Sequence, residues 1–241
     1  MGVREGRSEF LIRDEIRAEL MSQLATAQQS LLSAAAEHAS LVVELAASVR
    51  DTLQRFPGDD REALDRAAAR ATGWEHRADV LVDHARVLSR RWIDSAALEK
   101  ILLDADDIAD HLEDVTFLLT LLATAPPAAE DLRPLAELAE LALSASRQHL
   151  MAFEAAQALQ RSRAREDLQD VLEAVDQVVL LERRSDDANR RAKRQILTAV
   201  SDVRHVEILS DIRRHLEAAC DVLKRVALAL RSFVMGEVGA G

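Results

Sequence analysis

The sequence predicts an all-α fold, two tandem three-helix bundles built from six long antiparallel helices, and three observations carry that expectation. Hydrophobic residues make up 49% of the chain and charged residues 30%, with a mean hydropathy of −0.09. Such an Ala, Leu, Glu, Asp and Arg-rich mixture belongs to helical bundles. Turn residues are scarce: between Gly58 and Gly236 the only glycine is Gly73, and the four prolines are Pro57, Pro126, Pro127 and Pro134. A sheet protein of 241 residues needs many more breakers. Apolar residues recur at heptad spacing along whole segments, the pattern of shallow-angle antiparallel packing.

The breakers and caps place the helices at roughly 7–55, 59–92, 95–124, 131–162, 165–199 and 203–235. Phe56-Pro57-Gly58-Asp59-Asp60 ends the first helix and caps the second. Asp94 or Ser95, after Trp92-Ile93, caps the third. Pro126-Pro127 ends the third, and the fourth starts near Asp131, where Pro134 is tolerable in the first turn. A softer break falls at Ser162 to Arg165, and Ser201-Asp202 caps the sixth helix. The expected core stripe of the second helix is Leu64, Ala67, Ala71, Trp74, Ala78, Leu81, Ala85, Leu88 and Trp92. The third runs Leu98, Ile101, Ala105, Ile108, Leu112, Val115, Leu119 and Leu122. The sixth runs Leu209, Ile212, Leu216, Ala219, Leu223, Val226, Leu230 and Phe233. The whole chain, 1–241, reads as a single domain of two repeats, a first unit at 7–126 and a second at 129–235.

Composition also excludes functions. A net charge of −11, aromatics at 3% and no tyrosine argue against nucleic acid, which needs surplus cations or stacking surfaces. The single cysteine, Cys220, points to a reducing compartment and reads as a packed structural thiol. Met1 to Glu9 carries no apolar signal region, and the longest uncharged apolar stretch, Val115 to Ala129, is interrupted by two prolines. The expectation is a soluble cytoplasmic chain.

The two halves repeat. Glu75-His76-Arg77-Ala78-Asp79 matches Glu182-Arg183-Arg184-Ser185-Asp186 at an offset of 107 residues. Asp106-Asp107-Ile108-Ala109-Asp110 matches Glu217-Ala218-Ala219-Cys220-Asp221 at an offset of 111, and the turn between helices absorbs the difference. Each segment sets an acidic residue four positions before an aspartate, on one helix face, where two carboxylates suit a hard cation. With 42 acidic residues in the chain, chance alone gives about seven such pairs. Their placement says more than their number. The midpoint of residues 77 and 108 falls in the Trp92 to Ser95 turn, and that of 184 and 219 at Ser201-Asp202. In an antiparallel hairpin, residues equidistant from the turn lie level. Each unit is therefore expected to gather four carboxylates, Glu75, Asp79, Asp106 and Asp110 in the first and Glu182, Asp186, Glu217 and Asp221 in the second. They flank the core stripe, so each quartet is expected in a surface groove.

These mirrored pairs, with Asp-Asp-Ile-Ala-Asp-His at 106–111 and His-Leu-Glu-Ala-Ala-Cys-Asp at 215–221, resemble the PhoU-like proteins. Within that family the chain is most similar to the Pit-accessory branch, domain-of-unknown-function family 47, over about residues 10–235. The resemblance implies two three-helix bundles with surface clusters of iron or zinc. It further implies a non-enzymatic role in regulating phosphate uptake, with a phosphate permease or another phosphate-transport component at the inner face of the membrane as partner. Homo-oligomerisation is compatible with it. The chain departs from the family at Arg77 and Arg184, where Glu is frequent, and in its basic fifth helix, with Arg183, Arg190, Arg191, Lys193 and Arg194. Cations repel a metal, so the first-unit site, reinforced by Asp83, Asp107 and Asp114, is the favoured one. A metal-storing or metal-sensing bundle and a metal-free helical adaptor are the alternatives.

Other constellations are weaker. No histidine has Glu three positions before it, as a ferritin-like di-iron site needs, and no His-Glu-x-x-His or glycine-rich phosphate loop is present. His76 and His111 adjoin first-unit carboxylates and read as rim residues with ligand potential.

Overall fold

The computed structural model describes residues 9–56, 58, 61–90 and 96–239, with side chains of the first helix from residue 15 onward. Every regular element among them is helical: α1 Glu9–Arg55, α2 Arg61–Ser89, α3 Ala96–Leu121, α4 Ala129–Ser162, α5 Arg165–Ala199 and α6 Val203–Gly239. The expected Pro57 and Asp59-Asp60 break, the Trp92 to Ser95 turn and the core placement of Trp92 lie outside the described residues.

Local chemistry explains the boundaries. The Asp202 carboxylate accepts the backbone N–H groups of Arg204 and His205 at 2.8 and 3.4 Å. It is thus the expected N-cap of α6, and those two bonds hold its pKa below the usual carboxylate value. At the softer break, Arg163 takes the left-handed conformation (φ 53°) and donates its N–H to the Leu159 carbonyl. The α3 helix stops earlier than expected. Leu122, Ala123 and Ala125 donate to carbonyls three residues back, a tightened turn leading into Pro126. The α6 helix instead runs through Gly236, three residues beyond it.

The α4 helix begins at Ala129, two residues before the expected start, so Pro134 lies beyond the first turn. A proline there leaves the carbonyl four residues back, that of Glu130, without its helical N–H. The Gln195 side-chain amide on α5 donates to this carbonyl at 2.6 Å. A tertiary contact therefore satisfies the group that proline leaves open.

The α1, α2 and α3 helices pack on one another, as do α4, α5 and α6. The two sets are joined by α1 against α4 and by α3 against α6, so repeat-equivalent helices meet at the junction. One continuous core runs through both, from Leu31, Val42, Leu45 and Val49 of α1 to Leu216, Leu223 and Leu230 of α6. The expected α3 stripe is buried throughout, and so is the α6 stripe up to Leu230, with Phe233 half-buried. On α2 the stripe drifts: Ala78, Val82, Ala85 and Ser89 are buried, whereas Trp74, Leu81 and Leu88 are only half-buried. An α-helix with 3.6 residues per turn rotates away from a strict seven-residue repeat, and α2, like α5, packs within its own unit and not across the junction.

The segment with most membrane-like composition is in α1, not at Val115 to Ala129. Residues Glu15–Arg55 are long and apolar enough to cross a membrane by length and composition. Most of that apolar window is buried in the bundle, where Leu31, Leu32, Ala39, Val42 and Leu45 pack into the core.

Candidate metal centre

The hairpin geometry brings together the carboxylates of each unit. In the first, burial raises the pKa of Glu75 above its ordinary value, and the charges of Asp79, Asp110, Glu113 and Asp106 raise it further. Asp79 is raised by burial and then by the adjacent Asp106 carboxylate. Asp110 is pushed up to about 6, by burial first and then by Asp106, Asp79, Asp107 and Asp114. Each group feels charges from the facing helix, which places the pairs level across the α2–α3 turn. In the second unit, Glu217 is raised by burial and by Asp221, with Asp186 and Glu182 adding to it. Asp221 is raised by burial, then Glu182 and Asp186, and lowered by Lys224 and Arg225.

The two quartets differ in ways that the sequence does not reveal. Among the described residues the tightest all-carboxylate group is in the second unit, where Glu182, Asp186 and Asp221 offer oxygens within 4.8 Å of one another. Glu182 is also not on a groove: its side chain is 6% exposed. Its Oε1 accepts from Lys224 Nζ at 2.7 Å, while its Oε2 is buried with no hydrogen-bond partner. An orphaned carboxylate oxygen inside an all-oxygen donor set fits a hard cation. Of the α5 arginines expected to repel a metal, one reaches the quartet: Arg190 Nη2 lies 4.0 Å from Asp186 Oδ2. Arg190 pairs with Asp187 at 3.1 Å, Arg191 with Glu137, and Arg183 and Arg184 are exposed. Lys224 is the cation in hydrogen-bond contact with Glu182, while Arg213 acts on Glu217 and Arg225 on Asp221.

The first unit has more uncompensated charge. His76 is the only cationic group acting on Asp79 among its main influences, and none acts on Glu75 or Asp110. An open acidic depression there is lined by Glu75, Asp110, Glu113 and Asp114. Glu113 was not expected, although it lies three positions after Asp110 and hence on the same helix face. Geometry therefore favours the second unit and electrostatics the first. A metal at the first would relieve repulsion between carboxylates, whereas one at the second must displace Lys224.

Asp110, raised by burial and then by its acidic neighbours, gives this strain a measurable sign. Its folded pKa, about 6, exceeds the ordinary 3.8, so its stabilising contribution is complete below about pH 3.8 and lost as pH rises through 6. In chelator at pH 7, Asp110→Asn is expected to raise Tm by about 2–4 °C, about 1 kcal/mol after solvent screening of an exposed group. The gain should vanish near pH 4. A Tm that falls at pH 7 contradicts the repulsion argument.

The histidines arrange differently from expectation. His76 is exposed beside Asp79. His111 turns to His215 of α6, with ring centroids 5.4 Å apart, and burial followed by the His215 charge lowers its pKa. His38 and His149 are fully buried, with no hydrogen-bond partner on either ring nitrogen. They stand 111 residues apart, the same offset as the Asp106 and Glu217 segments, a repeat signal that could have singled them out. His38 Nε2 lies 3.5 Å from Asp106 Oδ1, linking the α1 core to the first quartet. Cys220 is buried and its thiol is pushed up to about 12 by that burial, which suits packing and not nucleophilic attack. Comparison with protein-family models and with curated proteins returns no match.

Proposed function

We propose that this chain is a non-enzymatic, PhoU-like regulator or accessory protein of inorganic phosphate uptake. In this reading it binds iron or zinc through its paired carboxylates and acts on a phosphate permease, another transport component or a sensor at the inner face of the membrane. The observation that carries the reading is the mirrored pair of quartets, each assembled across a helical hairpin, in which burial and then neighbouring carboxylates raise the pKa of Glu75, Asp79 and Asp110 in one and of Glu217 and Asp221 in the other. Carboxylates held partly buried and close to one another twice, at equivalent places, are the mark of a ligand site more than of a solvated face. The residues that would hold the ions are Glu75, Asp79, Asp106 and Asp110, and Glu182, Asp186, Glu217 and Asp221. A bound cation would supply charge that neutralises them and fixes the surface presented to a partner.

Two measurements test the reading separately. Elemental analysis of the purified chain is expected to find iron or zinc, reduced in a Glu75→Ala/Asp79→Ala variant and in a Glu182→Ala/Asp186→Ala variant. Metal content equal in all three places the ions elsewhere. Deleting the gene is expected to change phosphate uptake or intracellular phosphate between phosphate-rich and phosphate-poor media, and unchanged values in both remove the transport role. The Lys224–Glu182 pair favours a second reading for the second unit, in which the ammonium takes the place of a metal and that half serves as a docking face alone.

A further inference from the structure

The junction between the two units holds a cluster that the carboxylate repeat does not explain. His111 and Asp114 lie one turn apart on α3, and His215 reaches them from α6. His111 Nδ1 and His215 Nδ1 are 3.4 Å apart, and His215 Nδ1 is 3.3 Å from Asp114 Oδ2. The three residues offer ligand atoms all within 4.8 Å of one another, and each is half-buried. The histidines are 104 residues apart, so they are not repeat-equivalent and belong to the junction itself.

We infer that His111, His215 and Asp114 form a separate site for one first-row divalent ion of the zinc class, bridging α3 of the first unit and α6 of the second. Metal–nitrogen and metal–oxygen bonds of about 2.0–2.2 Å at tetrahedral angles put ligand atoms about 3.3–3.5 Å apart, which is the spacing of both contacts. Hydrogen bonding accounts for the convergence less well. A neutral imidazole has one N–H, so His215 Nδ1 can donate to Asp114 or to His111 but not to both. Two imidazoles and one carboxylate suit zinc, and not calcium or magnesium, which take oxygen. Three protein ligands leave a fourth position to water. The neighbouring cation Arg225 is paired with Asp107 at 3.1 Å.

The inference is independent of metal at the carboxylate quartets, and the experiment keeps the two apart. The full chain, stripped with chelator, is titrated with cobalt(II) and then zinc. Wild type is expected to develop the intense visible bands of tetrahedral cobalt, which zinc abolishes. His111→Gln and His215→Gln are each expected to lose those bands and to bind zinc at this site at least about tenfold more weakly. A Glu182→Gln/Asp186→Asn/Glu75→Gln/Asp79→Asn chain is expected to keep them. Bands unchanged in the histidine variants, or lost only in the carboxylate variant, overturn the inference and leave the carboxylate reading standing. Should the variants unfold, nitrogen-15 spectra of the wild-type histidine rings decide. Zinc at one equivalent is expected to shift the Nδ1 signals of His111 and His215, and unmoved signals overturn the inference.

Discussion

Lys224→Met is expected to destabilise the metal-free chain by about 1–3 kcal/mol, several degrees in Tm, and to make its stability dependent on metal. Glu182 is buried and already has one oxygen without a partner, so Lys224 is its only partner in hydrogen-bond contact among the described residues. Removing that ammonium leaves a buried carboxylate uncompensated, and Asp221, which Lys224 also helps to keep charged, loses the same support. The ammonium is itself about a third exposed, which holds the cost below that of a fully enclosed pair. Methionine keeps most of the lysine stem, so the change reports charge more than packing.

The same substitution frees the position that a metal must occupy. Zinc or ferrous iron is expected to raise the Tm of Lys224→Met more than that of wild type, since a bound ion stabilises by mass action. Adding Glu182→Gln to Lys224→Met should recover stability in chelator and remove the metal response. A Lys224→Met chain with wild-type Tm in chelator would mean that the pair is a solvated surface contact, and a flat metal response would count against the second quartet as a cation site.

The legible part of this molecule was the part written in local spacing. Heptad stripes gave α3 and α6 almost residue by residue, because these helices are buried along one continuous seam. The carboxylate quartets followed from an i, i+4 spacing and the symmetry of a hairpin, both properties of a single antiparallel pair. What escaped depends on contacts between elements far apart in sequence. Gln195 rescues the carbonyl that Pro134 strands, from 65 residues away. Lys224 reaches Glu182 across the α5–α6 pair. The His111–His215 pair exists only because α3 packs on α6. The basic residues of α5 are a mixed case for the same reason: a helix sequence shows that Arg183, Arg184 and Arg190 are near a carboxylate pair, but not that the first two face solvent while Arg190 reaches Asp186.

His149 should dominate the acid sensitivity of the fold. It is 1% exposed, packs edge-on against Phe153 with centroids 4.9 Å apart, and has no hydrogen-bond partner on either nitrogen. Burial, reinforced by His38 facing it from α1, lowers its pKa from 6.5 to about 3. A depressed folded pKa means that the contribution to stability is present above 6.5 and lost as pH falls toward 3, because the unfolded chain takes up a proton that the folded chain refuses. The slope is about 1.4 kcal/mol per pH unit, so about 2–3 kcal/mol is lost by pH 4.5. Asp110 acts in the opposite direction between about 6 and 3.8, but as an exposed and screened group its effect is smaller. His149→Leu fills similar space without a titrating ring. It is expected to change stability little at pH 8 and to flatten the decline between pH 6.5 and 4.5 in denaturant melts. A variant whose acid decline matches wild type would move the sensitivity from the α1–α4 seam to the carboxylates. Loss at pH 8 would instead show that the imidazole has a polar partner there.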